Sequence, residues 1–231
     1  MRLAAIDIGS NAARLLISDV IMHDDGRVQF QKVNLVRVPL RLGFDVFEEK
    51  LISEEKEAMI LNTLKAYKYL LDAYGVQHLK AAPTSAMRDA ENSDEIIERV
   101  KRETGIEIEI ISGDTEASLL YENHVAENLI RDHGEHAYLY VDVGGGSTEL
   151  TFFAEGALIF KRSFNIGTIR LLKNQVDEGF WDDMKDFTKR AIKGHDNDII
   201  AIGSGGNINK VFSLSKRKEG RPLHIESLKD Y

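Results

Sequence analysis

The chain has 231 residues, with 30 Lys and Arg against 38 Asp and Glu, and therefore a formal net charge of −8. This length is sufficient for one large domain or two modest ones with well-buried cores. The negative charge and the lack of a long basic run exclude nucleic acid and anionic membrane as expected partners. Because the sequence contains no cysteine, disulfides, thiolate zinc sites and cysteine nucleophiles are excluded as well.

The sequence favours a cytoplasmic location. The apolar run before Asp7 is too short for a secretory signal, and no apolar run approaches the length of a membrane span. The seven histidines are scattered. His133 and His136, the two that lie close together, are interpreted as part of a linker and not as a metal site.

Two stretches share one pattern, in which a buried strand ends in Asp-x-Gly, a short polar or glycine turn follows, and a second strand resumes. Residues 3–17 contain Asp7 and residues 140–150 contain Asp142, 135 positions further on. That spacing is close to the size of one domain, so it indicates two similar halves.

Each turn has two interpretations. Glycines leave no Cβ in the way, so a phosphate can approach the main-chain N–H groups, while the adjacent aspartate is available to a metal. A tight β-hairpin with a solvated aspartate is the alternative. Two such hairpins facing each other would place two carboxylates and two anion-binding turns across one cleft.

The rest of the first half alternates strands and helices. Arg88 follows the second predicted strand after the hairpin, either as a functional cation or as a surface arginine that balances Asp89 or Glu91. Glu116 lies in the first turn of a helix, where an acid often serves only the helix dipole. The predicted elements are a strand at 27–40, a loop at 41–43, a helix at 53–75, a strand at 77–82, a helix at 93–105, a strand at 106–111 and a helix after 114.

The second half continues with strands at 150–153 and 157–164, and the element at 165–172 then turns into a helix, with Arg170 one turn in. An amphipathic helix spans 177–193, and its aromatic residues are assigned to the core. A buried strand at 199–202 opens into glycines 203, 205 and 206 and a helix at 208–214. A strand, glycine turn and helix in this order form a second kind of phosphate or nucleotide contact, because the helix N-terminus offers unpaired N–H groups.

With these segments taken together, the chain resembles the exopolyphosphatase and guanosine pentaphosphate phosphohydrolase (Ppx/GppA) family of the actin-like ATPase group, over essentially its whole length. The matching segments are residues 7–16, 84–90, 111–117 and 142–150. The resemblance implies an α/β fold with two ribonuclease H-like (actin-like ATPase) domains around a central cleft, residues 1–130 and 131–231. The second domain is expected to lack its last helices.

The resemblance also implies a mechanism. Glu116 is expected to be the catalytic base that activates water, with Asp142 as a further catalytic residue. Asp7, Asp142 and Glu149 are expected to hold Mg²⁺. The expected phosphate-binding residues are Gly9, Ser10, Asn11, Arg14, Arg88, Gly144, Gly145, Gly146, Ser147, Thr148, Arg170, Gly205 and Gly206.

The implied reaction is release of terminal phosphate from inorganic polyphosphate or guanosine pentaphosphate. Members of the family are often homodimers, and the sequence leaves the oligomeric state of this chain open. Three features depart from the family pattern: Ala12 and Ala13 replace a hydroxyl residue, Asn207 replaces a threonine, and the second domain is short. Two alternatives stay open, namely an ATP-dependent kinase that uses residues 203–207 for adenosine and a non-hydrolytic guanosine tetraphosphate sensor.

Overall fold

The computed structural model describes residues 1–24, 26–109, 136–195, 198–218 and 221–230. The chain divides into two compact units, Met1–Ile111 and Ser112–Tyr231. The domain boundary expected from the sequence, between residues 130 and 131, lies outside the described residues.

The first unit is built on a four-stranded mixed sheet in the order β3-β2-β1-β4. Strand β1 is antiparallel to β2 and parallel to β4. The strands are β1 (Arg2–Ile8), β2 (Ala12–Met22), β3 (Val28–Pro39) and β4 (His78–Pro83). The helices are α1 (Gly43–Glu49), α2 (Glu54–Ala73), α3 (Ser85–Asp89) and α4 (Ser93–Thr104).

One face of this sheet is covered by α2. Ile6 and Leu15 are buried on that face, as period-two alternation requires, and α2 buries Ile60 and Leu64 on one stripe. Tyr67 of α2 joins the two layers, since its hydroxyl donates to the carbonyl of Ala13 at 3.0 Å and to that of Val36 at 3.3 Å. The apolar periodicity therefore predicted the two layers correctly.

Two helices of the first unit were not predicted, and one predicted strand differs. Helix α1 has seven residues and α3 five, too few for a recognisable period. Residues 106–109 carry the expected alternation, with Ile106 and Ile108 buried, but they have no strand conformation. Their bond to β4 runs from the Glu109 amide to the Ala81 carbonyl at 2.9 Å, and residues 110 and 111 of the predicted strand lie outside the described residues.

The second unit repeats the plan of the first with the sheet order β7-β6-β5-β8. Strand β5 is antiparallel to β6 and parallel to β8. The strands are β5 (Ala137–Val143), β6 (Thr148–Ala154), β7 (Ala157–Phe164) and β8 (Ile199–Ser204). The helices are α5 (Thr168–Leu172), α6 (Glu178–Ala191), α7 (Gly206–Leu214) and a 3₁₀ helix at Ile225–Asp230.

Helix α6 covers one face of this sheet. Its Met184 and Phe187 pack on the cluster of Leu150, Phe164 and Ile166. The two predicted hairpins and the amphipathic helix are thus confirmed as elements of secondary structure.

The burial predicted for two parts of the second unit is wrong. Phe180 and Trp181 of α6 are 38% and 43% exposed, and Ile199 and Ile200 of β8 are 40% and 41% exposed. Strand β8 ends the described sheet, and an apolar run does not show whether neighbouring elements cover both of its faces. No helix in the described part has the length and apolar character that crossing a membrane requires.

Candidate functional site

The β1–β2 turn, residues 9–11, is called loop 1. The Gly9 amide donates to the Ala12 carbonyl at 3.0 Å, and the Ser10 carbonyl accepts from the Gly43 amide at 2.9 Å. The Asn11 carbonyl accepts from two amides that follow β3, at 3.0 and 2.9 Å. The amides of Ser10 and Asn11 meet no acceptor within the described part of the chain, so loop 1 has two main-chain donors available to a ligand.

The segment after β4 lies beside loop 1, because the carboxyl ends of the parallel strands β1 and β4 meet at one edge of the sheet. The Thr84 amide and hydroxyl both donate to the Ile8 carbonyl, at 3.1 and 3.2 Å. The Ser10 and Ser85 hydroxyls are 2.9 Å apart. Arg88 follows on α3 with an exposed side chain, and the described residues provide no ion-pair partner for it. Two of the matched family segments are therefore neighbours in the first unit.

Asp7 and Arg14 are cross-strand partners on β1 and β2. The Arg14 Nη1 atom lies 3.1 Å from the Asp7 Oδ2 atom, with side chains 51% and 40% exposed. An ion pair this exposed contributes little to stability and exchanges readily with other partners. A predicted metal ligand and a predicted phosphate-binding arginine thus contact each other.

The β5–β6 turn, residues 144–147, is called loop 2, and it has the same first bond as loop 1. The Gly144 amide donates to the Ser147 carbonyl at 2.9 Å. The segment at the start of α5 contacts the other side of the turn. The Thr168 amide donates to the Gly144 carbonyl at 3.1 Å, and the Ile169 amide donates to the Gly145 carbonyl at 2.8 Å.

The third contact on loop 2 comes from a side chain. Arg170 Nε donates to the Gly146 carbonyl at 2.7 Å, so three consecutive carbonyls of the loop point toward α5. In a planar trans peptide the N–H points opposite to the preceding C=O. The amides of Gly145, Gly146 and Ser147 therefore point away from α5, and they meet no acceptor among the described residues. Three successive amides with one orientation form an anion-binding nest.

Two carboxylates flank loop 2. Asp142 and Glu149 are directly opposed on β5 and β6, so their side chains share one face of the sheet. Glu149 Oε1 accepts from the Ser147 hydroxyl at 2.8 Å and from the Ser163 hydroxyl at 3.3 Å. Among the described residues no group of three His, Cys, Asp or Glu side chains is placed to hold a metal. Asp7, the third predicted metal ligand, belongs to the first unit.

The β8–α7 turn, residues 203–207, is called loop 3, and it contacts the same strand end. Gly205 has φ 99° and ψ 171°. A Cβ atom at Gly205 would lie 2.9 Å from the Val143 carbonyl oxygen and 3.2 Å from Asp142 Oδ1. Gly206 begins α7. Loop 3 thus packs directly against one of the predicted metal ligands.

Two predicted site residues have other partners. The Thr148 hydroxyl donates to the Ile166 carbonyl at 2.6 Å and is buried, so this group supports the loop from inside the unit. Arg170 contacts the loop backbone. Glu116, the predicted base, lies outside the described residues.

The sequence reasoning missed Gly167, whose Cβ would lie 2.4 Å from the Gly145 carbonyl oxygen. The one signal for this close approach was a glycine immediately before a short helix. Ser163 and Ser85 were missed as well, because an isolated serine in a strand or a turn has no distinctive pattern.

Comparison with known proteins identifies the family. Residues 20–201 match the model of the Ppx/GppA phosphatase family. The chain belongs to the Ppx/GppA phosphatase family. Curated relatives include the bifunctional 3-dehydroquinate synthase/phosphatase of Fusobacterium nucleatum, which is 37% identical over 97% of this chain and 36% of its own length.

Two further Ppx/GppA relatives are each named for one activity. Exopolyphosphatase 1 of Mycobacterium tuberculosis is 29% identical over 77% of this chain and 50% of its own length. The guanosine-5'-triphosphate,3'-diphosphate pyrophosphatase of Vibrio vulnificus is 33% identical over 74% of this chain and 33% of its own length. The chain spans about a third to a half of these relatives.

Solved Ppx/GppA structures have the same fold. The Aquifex aeolicus family member superposes with a TM-score of 0.69 at 29% identity, covering 98% of this chain and 72% of its own. An exopolyphosphatase from Cytophaga hutchinsonii gives 0.71 at 26% identity, covering 94% and 73%. The α/β fold predicted from the sequence, with two ribonuclease H-like units of the actin-like ATPase class, is confirmed.

Proposed function

We propose that this Ppx/GppA chain is a hydrolase that binds Mg²⁺ and releases the terminal phosphate of inorganic polyphosphate or guanosine pentaphosphate. The activities for which the Mycobacterium and Vibrio relatives are named support both substrates. The observation that carries the proposal is loop 2, where three amides that meet no acceptor in the described part of the chain adjoin a pair of carboxylates on one sheet face. Amides that donate hydrogen bonds to an anion, placed beside carboxylates that can bind a metal, suit a metal-bound phosphate chain.

The loops are assigned to phosphate binding. The amides of Gly145, Gly146 and Ser147 are donors for non-bridging oxygens, and they need no reorganisation because their carbonyls are already bonded on the other side. Ser10 and Asn11 in loop 1 offer two further amides. Exposed Arg88 and Arg14 are the cations assigned to the remaining phosphate charge.

Asp142 and Glu149 are assigned to Mg²⁺, with Asp7 as the third acid. Carboxylate oxygens on one face match the oxygen ligands that this ion prefers. The hydroxyls of Ser147 and Ser163 hold Glu149 in place, in the manner of groups that orient metal ligands. When bound, the ion neutralises charge on the phosphate oxygens.

Glu116 is assigned as the general base from the family resemblance. In the proposed reaction its carboxylate takes a proton from water while the water oxygen forms a bond to the terminal phosphorus. The bond between that phosphorus and the bridging oxygen breaks, and the electron pair leaves with the shortened chain. The products are inorganic phosphate and a chain shorter by one phosphoryl group.

The test is phosphate release by a Glu116→Gln variant, with a matched Glu107→Gln control. Glu107 is 65% exposed and pairs with Lys101 at 3.0 Å, so its replacement removes the same charge at a surface ion pair. Loss of one acid–base group lowers turnover by about 10² to 10⁴. The control is expected to keep the original rate, and equal rates in both variants would remove Glu116 from the mechanism.

Substrate and reaction class are decided in the same assay. Phosphate release is measured from polyphosphate and from guanosine pentaphosphate, each with and without Mg²⁺. We expect phosphate release from at least one of these substrates, and we expect that release to require Mg²⁺. Phosphorylation of an acceptor that requires ATP would favour the kinase alternative. Tight guanosine tetraphosphate binding without release from either substrate would favour the sensor alternative.

A further inference from the structure

Loop 2 is supported on one side by a short segment of its own unit. This segment, residues 167–170, is called the loop support. Its amides at Thr168 and Ile169 and the Nε atom of Arg170 bond the carbonyls of three consecutive glycines, at 3.1, 2.8 and 2.7 Å. Each bond fixes the orientation of one peptide plane, and the three planes together carry the free amides of the nest.

The loop support also packs against loop 2 without space for a side chain. A Cβ at Gly167 would lie 2.4 Å from both the Gly145 oxygen and the Gly146 carbonyl carbon. Contacts under about 3 Å with backbone atoms are not tolerated, so the two segments must meet at glycine. The close approach brings the Arg170 side chain within reach of the last carbonyl of the three.

We propose that Arg170 is a positioning residue, which acts on phosphate through the orientation of the Gly146–Ser147 peptide. The proposal rests on the proposed function, and it replaces the direct phosphate contact expected from the sequence. The bond from Nε holds the Gly146 carbonyl toward α5, and therefore holds the Ser147 amide toward the ligand. Without the bond this peptide is free to rotate, and the third donor of the nest is lost.

Three substitutions separate the positioning role from a charge role. In Arg170→Gln the amide nitrogen lies the same number of bonds from Cα as Nε of arginine, so the donor stays and the charge goes. In Arg170→Lys the charge stays, but a methylene occupies the donor position. Arg170→Met removes both at similar length. If Arg170 positions the loop, Arg170→Gln is expected to be the mildest of the three changes. If Arg170 contacts phosphate directly, Arg170→Lys is expected to be the mildest.

The first readout is hydrolysis. Misplacement of one group in a preorganised site by about 1 Å lowers rates by about 10². We expect kcat/KM to fall about 3-fold for Gln and about 10- to 100-fold for Lys and Met. The matched control is Arg190→Gln, because Arg190 Nε bonds a backbone carbonyl within α6, that of Asp186, at 3.2 Å. It is expected to leave kcat/KM unchanged. A Lys variant more active than Gln would overturn the proposal.

The second readout does not need turnover. Amide signals of Gly145, Gly146 and Ser147 are followed by ¹⁵N NMR while the protein is titrated with sodium tripolyphosphate. We expect the unaltered chain and the Gln variant to shift all three amides, and the Met variant to lose the Ser147 shift. Equal Ser147 shifts in the Met variant and the unaltered chain would overturn the proposal. If no variant hydrolyses either substrate, the proposed function fails while this titration still tests Arg170.

Discussion

Replacing Gly205 by alanine is expected to disturb both stability and the predicted metal ligand Asp142. Gly205 has φ 99° and ψ 171°, a backbone region that is essentially limited to glycine. The new Cβ would also lie 2.9 Å from the Val143 carbonyl oxygen and 3.2 Å from Asp142 Oδ1. The first of these atoms belongs to the central strand β5 and cannot move without its sheet partners.

Two energetic costs determine how far Gly205→Ala lowers the free energy of unfolding. Forcing a side chain into this backbone region costs about 1–3 kcal/mol. Inserting a methyl group against a fixed backbone atom adds about 1–3 kcal/mol when the surroundings yield only in part. We therefore expect Gly205→Ala to lower the free energy of unfolding of the second unit by about 2–6 kcal/mol. Because Asp142 must also shift, we expect kcat/KM to fall by about 10-fold or more.

The neighbouring residue supplies the control. A Cβ at Gly206 meets nothing within 4 Å, and the residue begins α7. Alanine has the higher helix propensity, so Gly206→Ala is expected to leave stability unchanged or to raise it by up to about 1 kcal/mol. The assay is chemical denaturation followed by the fluorescence of Trp181, the single tryptophan of the chain, which lies on α6 of the same unit.

The two variants carry the same substitution at adjacent positions and differ only in backbone conformation and local space. If Gly205→Ala and Gly206→Ala unfold at the same midpoint, the expected destabilisation from the positive φ of Gly205 and from its contact with the Val143 carbonyl is refuted. A Gly205→Ala variant that is destabilised but fully active would retain the strain argument and contradict the placement of Asp142 in the site.

Three further predictions concern the first unit. Tyr67→Phe is expected to lower the free energy of unfolding by about 1–2 kcal/mol, because the buried Ala13 carbonyl and the partly buried Val36 carbonyl lose the donor that they share. Burial raises the pKa of Tyr67 to about 12, so its stabilising effect is complete below its ordinary pKa and is lost as the pH rises from about 10 toward 12. Denaturation of both proteins across that range is expected to show a decline that the Phe variant lacks. Lys65 and Arg99 lower the pKa of Glu103 to about 2, so this ionised carboxylate stabilises the α2–α4 pair above about pH 4.5 and loses that effect as the pH falls toward 2. Thermal melts at pH 6 and pH 3 test this effect. Glu103→Gln is expected to narrow the difference in Tm between the two pH values, and a difference equal to that of the unaltered chain would contradict the lowered pKa of Glu103. Ala12→Ser is expected to lower KM for polyphosphate by about 3- to 10-fold through one added hydroxyl donor, and an unchanged KM would show that the hydroxyl does not reach phosphate.

The sequence by itself was sufficient for the elements that local pattern specifies. Asp7 and Asp142 were placed at strand ends before glycine turns because strand alternation and glycine are read over a few residues. The 135-residue spacing identified the repeated plan, and both sheets have the same order. Helices α2 and α6 were found because each is long enough to show a helical period.

Features that depend on a distant partner were decided by the tertiary structure. Arg170 contacts a carbonyl 24 positions away, and Thr148 donates to one 18 positions away; neither is visible to local pattern. Gly205 lies against Asp142, and the exposure of β8 depends on which elements cover it. Local sequence determines backbone conformation through steric and hydrogen-bonding preferences of a few residues, whereas the direction in which a polar side chain bonds depends on groups that only folding brings near.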